Sequence, residues 1–73
     1  MEETEMAKVK VPNEVLKGLM AVRESGLTNM FDRPVVIKIA EEMGFEEAAD
    51  WVMAHRKEYA EGIFRGFEAE EDE

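Results

Sequence analysis

Apolar residues recur at helical spacing along most of the chain, and this pattern predicts three or four helices. The first segment forms one broad apolar face made of Val15, Leu16, Leu19, Met20 and Val22. Pro12 precedes this segment, and Gly26 suits the left-handed residue that often follows a helix. The first helix is therefore predicted over about Asn13–Ser25.

A second stripe at i, i+3, i+4 and i+7 spacing consists of Val36, Ile39, Ala40 and Met43. Asp32 is the predicted N-cap, because its carboxylate can accept backbone N–H groups and Pro34 then fits the first turn. Phe31, directly before this cap, is expected to pack on Val36 as a hydrophobic staple. Gly44 ends the second helix, so the third should meet it at a sharp corner.

The last apolar stripe runs from Phe45 to Phe67 and keeps its phase across residues 55–57. One long helix and two collinear pieces both fit this pattern. Gly62 and Gly66 each cost about 1 kcal/mol inside a helix. Their four-residue spacing indicates either close backbone packing or a fraying end.

The two ends of the chain differ from its helical middle. Residues 7–11 alternate small or apolar residues with lysines, which is the period of a half-buried strand, and Pro12 ends it. A lone strand must pair with another copy, pack on the helices or stay extended. We expect residues 1–6 to be a disordered acidic lead-in, residues 7–67 a single helical domain and residues 68–73 a solvated acidic tail. The predicted fold class is mainly α, a small bundle of three to four helices with a short N-terminal β segment.

Length and composition limit what such a chain can build. A chain of 73 residues has room for one domain, and a core of that size seldom supplies more than roughly 3–5 kcal/mol net. The absence of cysteine excludes disulfides and thiolate metal sites. We therefore expect a homodimer or higher oligomer. The acidic N-terminus and the lack of a long apolar run predict a cytoplasmic protein that does not contact a membrane.

The net charge of −9 is unevenly distributed. Residues 7–40 carry six basic against three acidic side chains, whereas residues 41–73 carry twelve acidic against three basic ones. This asymmetry argues against phosphate binding by the C-terminal half and leaves the N-terminal half free to bind phosphates.

A polar connector between the first two helices holds most of the candidate binding residues, which are Ser25, Thr28, Asn29, Met30, Asp32 and Arg33. A polar loop at a helix N-terminus offers backbone amides, and with an arginine it suits an anion or a nucleotide. The same residue types also suit ordinary turn and cap chemistry. Both interpretations remain open for the polar residues, and Met30 is a candidate contact.

Arg65 is a further candidate, because it lies between Phe64 and Phe67. A guanidinium beside aromatic rings can stack on a base or pair with a carboxylate. The alternative is an outward-facing arginine at the end of an amphipathic helix.

Candidate catalytic and metal-binding groups are sparse in the sequence. His55 is the only histidine, and no second nitrogen or thiolate ligand accompanies it. Adjacent carboxylates such as Glu41 and Glu42 point apart on a helix, and no Gly-rich phosphate loop is present. We expect a protein without enzymatic activity, metal or cofactor.

Two stretches, Ser25–Asp32 (SGLTNMFD) and Glu61–Glu68 (EGIFRGFE), resemble a family of small phage and prophage proteins described as a domain of unknown function. The similarity runs from about Val9 to Glu68. The resemblance implies a phage or mobile-element setting, in which short acidic proteins often bind and block host machinery.

The function expected from these features is that of a phage-encoded, non-catalytic binding protein. It would modulate or inhibit a host or phage protein, as anti-defence proteins do, and a variant of this hypothesis is sequestration of a small nucleotide ligand. The surfaces expected to bind are the connector at residues 25–33 and the helix end at Arg65.

A second resemblance gives an alternative. Residues 8–16 are similar to the opening of ribbon-helix-helix repressors, in which paired strands of a dimer enter the major groove. It implies that Lys8 and Lys10 face DNA while Val9 and Val11 face the core. The connector is longer than in such proteins, and the third helical segment and acidic tail are additional. The alternative function is that of a dimeric DNA-binding regulator.

Overall fold

The computed structural model describes residues 8–70, which form four helices and two short strands. In chain order the elements are β1 (Val9–Val11), α1 (Asn13–Ser25), α2 (Arg33–Glu42), α3 (Glu46–Ala54), α4 (Arg56–Arg65) and β2 (Phe67–Ala69). The predicted mainly α fold with a short N-terminal β segment is confirmed. The lead-in expected at residues 1–6 and the tail residues 71–73 lie outside the described residues.

The first helix has the predicted bounds. The carbonyl of Pro12 accepts the first helical hydrogen bond from the Leu16 amide at 3.0 Å. Gly26 ends α1 with a φ of 69°, a left-handed conformation that a glycine adopts without strain. Because α1 carries its apolar residues on one face, Val15, Leu19 and Val22 are buried.

The start of α2 agrees with the prediction in position but not in chemistry. Asp32 occupies the N-cap position and Pro34 the first turn, yet among the described residues the Asp32 carboxylate accepts no capping hydrogen bond. Phe31 is 64% exposed, whereas Met30 packs against the core. The expected staple is therefore wrong, because the chain turns Met30 inward and leaves Phe31 on the surface.

The segment from Phe45 to Phe67 forms two helices rather than one. The break falls at His55, whose φ of −118° and ψ of 59° leave the helical region. The His55 amide still donates to Trp51 O at 2.8 Å, and its carbonyl accepts from the Tyr59 amide at 2.8 Å. His55 thus ends α3 and begins α4.

The two ends of the described chain pair as a parallel two-stranded sheet, with Lys10 opposite Glu68 in the register. The predicted strand β1 is confirmed, and its partner is the chain's own C-terminal segment. β2 was not predicted, since Phe67 was assigned to the helical stripe and Glu68 to the acidic tail. Gly66 makes the strand possible, because its φ of 97° and ψ of 161° turn the chain out of α4.

The core lies between α1, α2 and α3 and is closed by β1 and α4. Its buried side chains are Val11, Val15, Leu19, Val22, Val36, Ile39, Ala40, Ala48, Ala49, Val52 and Tyr59. Small residues bring the helices close together. A Cβ atom on Gly18 would lie 2.4 Å from the Cβ atom of Ala48, so α3 packs directly on the backbone of α1.

Candidate functional site

Two polar residues of the connector are occupied by the turn itself. Ser25 Oγ donates to the Val22 carbonyl at 2.6 Å and accepts from the Leu27 amide at 3.1 Å. Asn29 Oδ1 accepts from the Phe31 amide at 2.9 Å, which forms an Asx turn. These bonds are the turn chemistry that the sequence allowed as one interpretation.

Of the other polar residues of the connector, Thr28 and Arg33 donate to backbone carbonyls, whereas Asp32 occupies the N-cap position of α2. Thr28 Oγ1 donates to the Asn29 carbonyl at 3.3 Å. Arg33 Nη1 donates to the Val52 carbonyl at 3.2 Å, near the end of α3, where helix carbonyls carry partial negative charge. Arg33 thereby ties the start of α2 to the end of α3.

A groove of about 400 Å³ opens where α1, the connector and the end of α4 meet. It contains two residues predicted from the sequence as contacts, Met30 and Arg65, and a third side chain, Arg23, that was not predicted. Its lining is completed by Leu16, Leu19, Met20, Gly62, Ile63, Phe64, Gly66 and Phe67. The connector and the Arg65 helix end, which the sequence identified separately, therefore border one groove.

A smaller pocket of about 200 Å³ lies beside the groove and is lined by Phe31, Arg33, Arg56, Tyr59, Ala60 and Ile63. Ile63 lines both depressions. Between them the rings of Phe31 and Phe64 meet edge to face, with centroids 5.8 Å apart and planes at 61°. We call the groove, the pocket and this Phe31–Phe64 ridge the aromatic–arginine face.

All four arginines of the chain line this face, and they are Arg23, Arg33, Arg56 and Arg65. Among residues 8–70, no lysine and no acidic side chain lines the groove or the pocket. Arginine differs from lysine in offering a planar group that binds carboxylates in pairs of hydrogen bonds and stacks on aromatic rings. The face is thus a cationic and apolar area on a protein of net charge −9.

Large apolar side chains protrude from the same face. Phe64 is 75% exposed, Phe31 is 64% exposed and Met20 is 44% exposed. Leu27, in the connector, is 68% exposed. A cluster of this kind on a small protein indicates an interaction surface, whereas single exposed apolar residues do not.

Tyr59 connects the face to the core. Its hydroxyl donates to the carbonyl of Met30 at 2.5 Å, and its ring stacks on that of Phe67 with centroids 5.8 Å apart. Burial raises the pKa of Tyr59 to about 12, because the phenolate would lose its hydration. The neutral hydroxyl therefore holds α4 against the connector at physiological pH.

The side chain of His55 lines neither the groove nor the pocket. The His55 ring stacks on Trp51 with centroids 4.6 Å apart, and its Nδ1 lies 3.0 Å from the Trp51 carbonyl. Within residues 8–70, no group of three or more histidines and carboxylates could hold a metal ion. The helices described here are also too short and too polar to cross a membrane.

The lysines of the DNA-binding alternative lie on or beside β1. Both Lys8 and Lys10 are exposed, and Lys10 faces Glu68 across the sheet. The stem of Lys8 runs next to Gly66, at the edge of the groove. β1 pairs in parallel with β2 of the same chain, whereas the strands of a ribbon-helix-helix dimer pair between subunits.

Sequence reasoning missed Arg23, Arg56 and the ridge. A signal for Arg56 was present, because Arg56, Ala60 and Ile63 follow one helical stripe at i, i+4 and i+7. Arg23 follows Met20 by three residues on α1, which places both on one side of that helix. The sequence shows which residues share one face of each helix, but it does not show which helix faces lie next to each other in the fold.

Neither a search of curated proteins nor a search of solved structures gave a match. A family model matches residues 12–67, which include all four helices, the connector and the residues that line the groove and the pocket. The predicted kinship with a domain of unknown function is thus confirmed, and the chain belongs to the family described as Domain of unknown function (DUF5049).

Proposed function

We propose that this chain is a non-catalytic binding protein that docks onto a protein partner through the aromatic–arginine face. In the phage or prophage setting implied by its sequence, it would modulate or inhibit a host or phage protein. The observation that carries the proposal is the convergence of all four arginines on the exposed Phe31–Phe64 ridge.

The composition of the face supports a protein partner. Interface cores are enriched in aromatic residues, methionine and arginine and depleted of lysine, glutamate and aspartate. The face follows this bias, with Phe31, Phe64 and Met20 exposed beside the arginines. Aromatic and arginine side chains also supply a large share of the residues that dominate binding free energies.

The chemistry of the face also supports binding without turnover. The hydroxyl of Tyr59 is bound to the Met30 carbonyl, and burial raises the pKa of Tyr59 away from neutrality. A general base needs a pKa near the working pH. Tyr59 is therefore suited to holding the face together rather than to transferring protons.

The nucleotide variant of the hypothesis has weaker support. It relied on the polar connector, and Ser25, Thr28 and Asn29 already make hydrogen bonds within the turn. The groove floor contains Leu16, Leu19 and Ile63, which suit an apolar side chain better than a phosphate. A protein partner is consequently the first choice, and a homodimer or higher oligomer stays a prediction.

The test is affinity capture of a partner from a lysate of the organism that encodes the chain, with wild type and two double variants compared side by side. Phe31→Ala with Phe64→Ala removes the ridge. Met43→Ala with Met53→Ala is the matched control, since these residues are 41% and 51% exposed and do not line the face. We expect a captured protein that is lost with the ridge variant and retained with the control.

Helical circular dichroism of both variants should equal that of wild type, which separates lost binding from lost folding. Capture that is equal with wild type and the ridge variant would contradict the proposal. Native mass spectrometry of the gently purified chain adds a second outcome. A bound nucleotide mass that disappears in Arg33→Ala would replace the protein partner by the sequestration variant.

A further inference from the structure

We infer that the partner docks through an acidic segment with an apolar anchor, the anchor side chain filling the groove and its flanking carboxylates pairing with Arg23 and Arg65. This inference rests on the proposed function and names the chemistry of the partner. The inference is drawn from the shape and the charge of the aromatic–arginine face.

The charge distribution selects an acidic partner. The chain carries a net charge of −9, so an acidic segment is repelled by most of its surface. Of the residues that the structure describes, those lining the groove and the pocket are basic, aromatic or apolar, without an Asp or Glu. The face is therefore the place where an acidic segment meets complementary charge, and complementarity of this kind favours one orientation over others.

The positions of the arginines divide the site into two parts. Arg23, on α1, and Arg65, at the end of α4, both line the groove, and both are exposed. Arg33 and Arg56 line the neighbouring pocket. A segment that crosses the Phe31–Phe64 ridge would thus find a pair of guanidinium groups on each side of it.

The shape of the groove selects an apolar anchor. Its volume of about 400 Å³ and its Leu16, Leu19 and Ile63 side chains provide room and apolar contact for a large side chain. Burying such a side chain contributes to the binding free energy, because its apolar surface is removed from water. The guanidinium groups at the groove then fix the orientation of the bound segment, because carboxylates bind them in a defined geometry.

The same features argue against nucleic acid as the occupant. A nucleic acid carries a charge on every phosphate, so a bound strand would extend beyond the arginines over a surface with twelve acidic residues after position 40, whereas a short peptide can keep its few carboxylates at the arginines. Reading bases needs donors and acceptors along the site, whereas this floor is apolar and the Tyr59 hydroxyl is already bound to Met30 O. A peptide needs only one anchor and a few carboxylates.

The test uses a random dodecapeptide library displayed on phage and selected against the wild-type chain. We expect enriched sequences in which Asp or Glu flanks Phe, Leu, Trp or Met. The affinity of the best synthetic peptide should fall about tenfold in Arg23→Gln with Arg65→Gln, since charge-assisted hydrogen bonds are lost. It should also weaken as salt is added.

A matched control variant separates the effect of losing the pairs with Arg23 and Arg65 from the effect of changing the net charge. Lys38→Gln with Lys57→Gln changes the net charge by the same amount, and these exposed lysines do not line the face. This variant should retain the wild-type affinity. An equal loss in both double variants would mean general electrostatics and would overturn the inference.

Other outcomes are equally decisive. Selection that yields neutral or basic peptides, or no enrichment, overturns the inference, as does an oligothymidylate that binds the face more tightly than the best peptide. The capture experiment distinguishes this failure from that of the proposed function. A partner that is lost with the ridge variant but unaffected by Arg23→Gln with Arg65→Gln leaves the proposed function standing without the acidic anchor.

Discussion

The ring of Phe31 lies edge-on against the ring of Phe64, with centroids 5.8 Å apart. One residue belongs to the connector before α2 and the other to the last turn of α4, so the contact joins two distant parts of the chain. Both rings are mainly exposed, at 64% and 75%. A contact between exposed rings adds little to folding and leaves a continuous aromatic surface exposed to solvent.

The first prediction concerns this pair. Phe64→Ala should lower the free energy of unfolding by no more than about 1.5 kcal/mol, because an aromatic pair contributes about 0.5–1.5 kcal/mol and this one is exposed. Partner capture should nevertheless fall sharply. Urea denaturation gives the stability, and Val52→Ala, which truncates a fully buried side chain, serves as the contrast. A stability loss in Phe64→Ala as large as that in Val52→Ala would show that the ridge serves mainly folding.

The second prediction concerns Tyr59. Removing its hydroxyl in Tyr59→Phe leaves the Met30 carbonyl without its donor, which should cost about 1–2 kcal/mol of stability at neutral pH. Tyr59 is the only tyrosine, so its ionisation can be followed by the near-ultraviolet absorbance of phenolate. Half-ionisation of the folded chain near the ordinary tyrosine pKa would contradict the burial.

The pH dependence of this effect has a definite sign. The pKa of Tyr59 is raised from 10.0 to about 12 in the folded chain, so the folded state holds this proton more tightly than the unfolded state does. Its stabilising effect is complete below pH 10 and is lost as the pH rises toward 12. Over this pH interval the free energy of unfolding should therefore fall more in wild type than in Tyr59→Phe. The lysines titrate in both proteins, so the difference between the two pH profiles reports on Tyr59 alone.

The third prediction concerns Gly62. A Cβ atom there would lie 2.1 Å from Cε1 of Phe67, so Phe67 packs directly on the backbone of α4. Gly62→Ala should destabilise the chain by about 1–3 kcal/mol through overpacking, although alanine gains roughly 1 kcal/mol in helix propensity. Thermal unfolding measures the balance, and Phe67→Leu in the same chain should recover part of the loss. A more stable Gly62→Ala would show that helix propensity outweighs the contact.

The sequence determined most of the helical architecture because local signals were strong. Pro12 and Gly26 bound α1, and the apolar stripes of α1 to α3 supply most of the buried residues. β2 was missed because three residues carry little periodicity and Glu68 suggested a tail. The break at His55 could not be chosen beforehand, since the apolar phase continues through it.

The candidate site was predictable only in parts. Met30 stood out as an apolar residue in a polar loop, and Arg65 stood out as an arginine beside phenylalanines. Both line the same groove. Arg23 and Arg56 look like ordinary surface residues until the helices are assembled. The packing of α4 beside α1 and the connector brings them together, and that packing depends on contacts distant in sequence.

The fourth prediction concerns the register of the sheet. Lys10 lies opposite Glu68, and opposite charges in such cross-strand pairs contribute roughly 0.2–1 kcal/mol. Lys10→Glu should destabilise the chain modestly by placing two carboxylates face to face. Adding Glu68→Lys should restore most of the stability, because it reverses the pair without changing the register. Lack of recovery in the double variant, measured by urea denaturation, would contradict the placement of residue 10 opposite residue 68.

Variants of Lys10 and its neighbour Lys8 distinguish a protein-binding function from a DNA-binding function. Lys8→Ala with Lys10→Ala should leave the capture of a protein partner near the wild-type level, since neither lysine lines the groove or the pocket. A DNA-binding regulator would behave differently, because each phosphate contact contributes to affinity and to its salt dependence. The measurement is a titration of duplex DNA at several salt concentrations with wild type and the double variant. Salt-dependent binding by wild type that weakens in this variant, with Arg23→Gln and Arg65→Gln having no effect, would transfer the function from the aromatic–arginine face to β1.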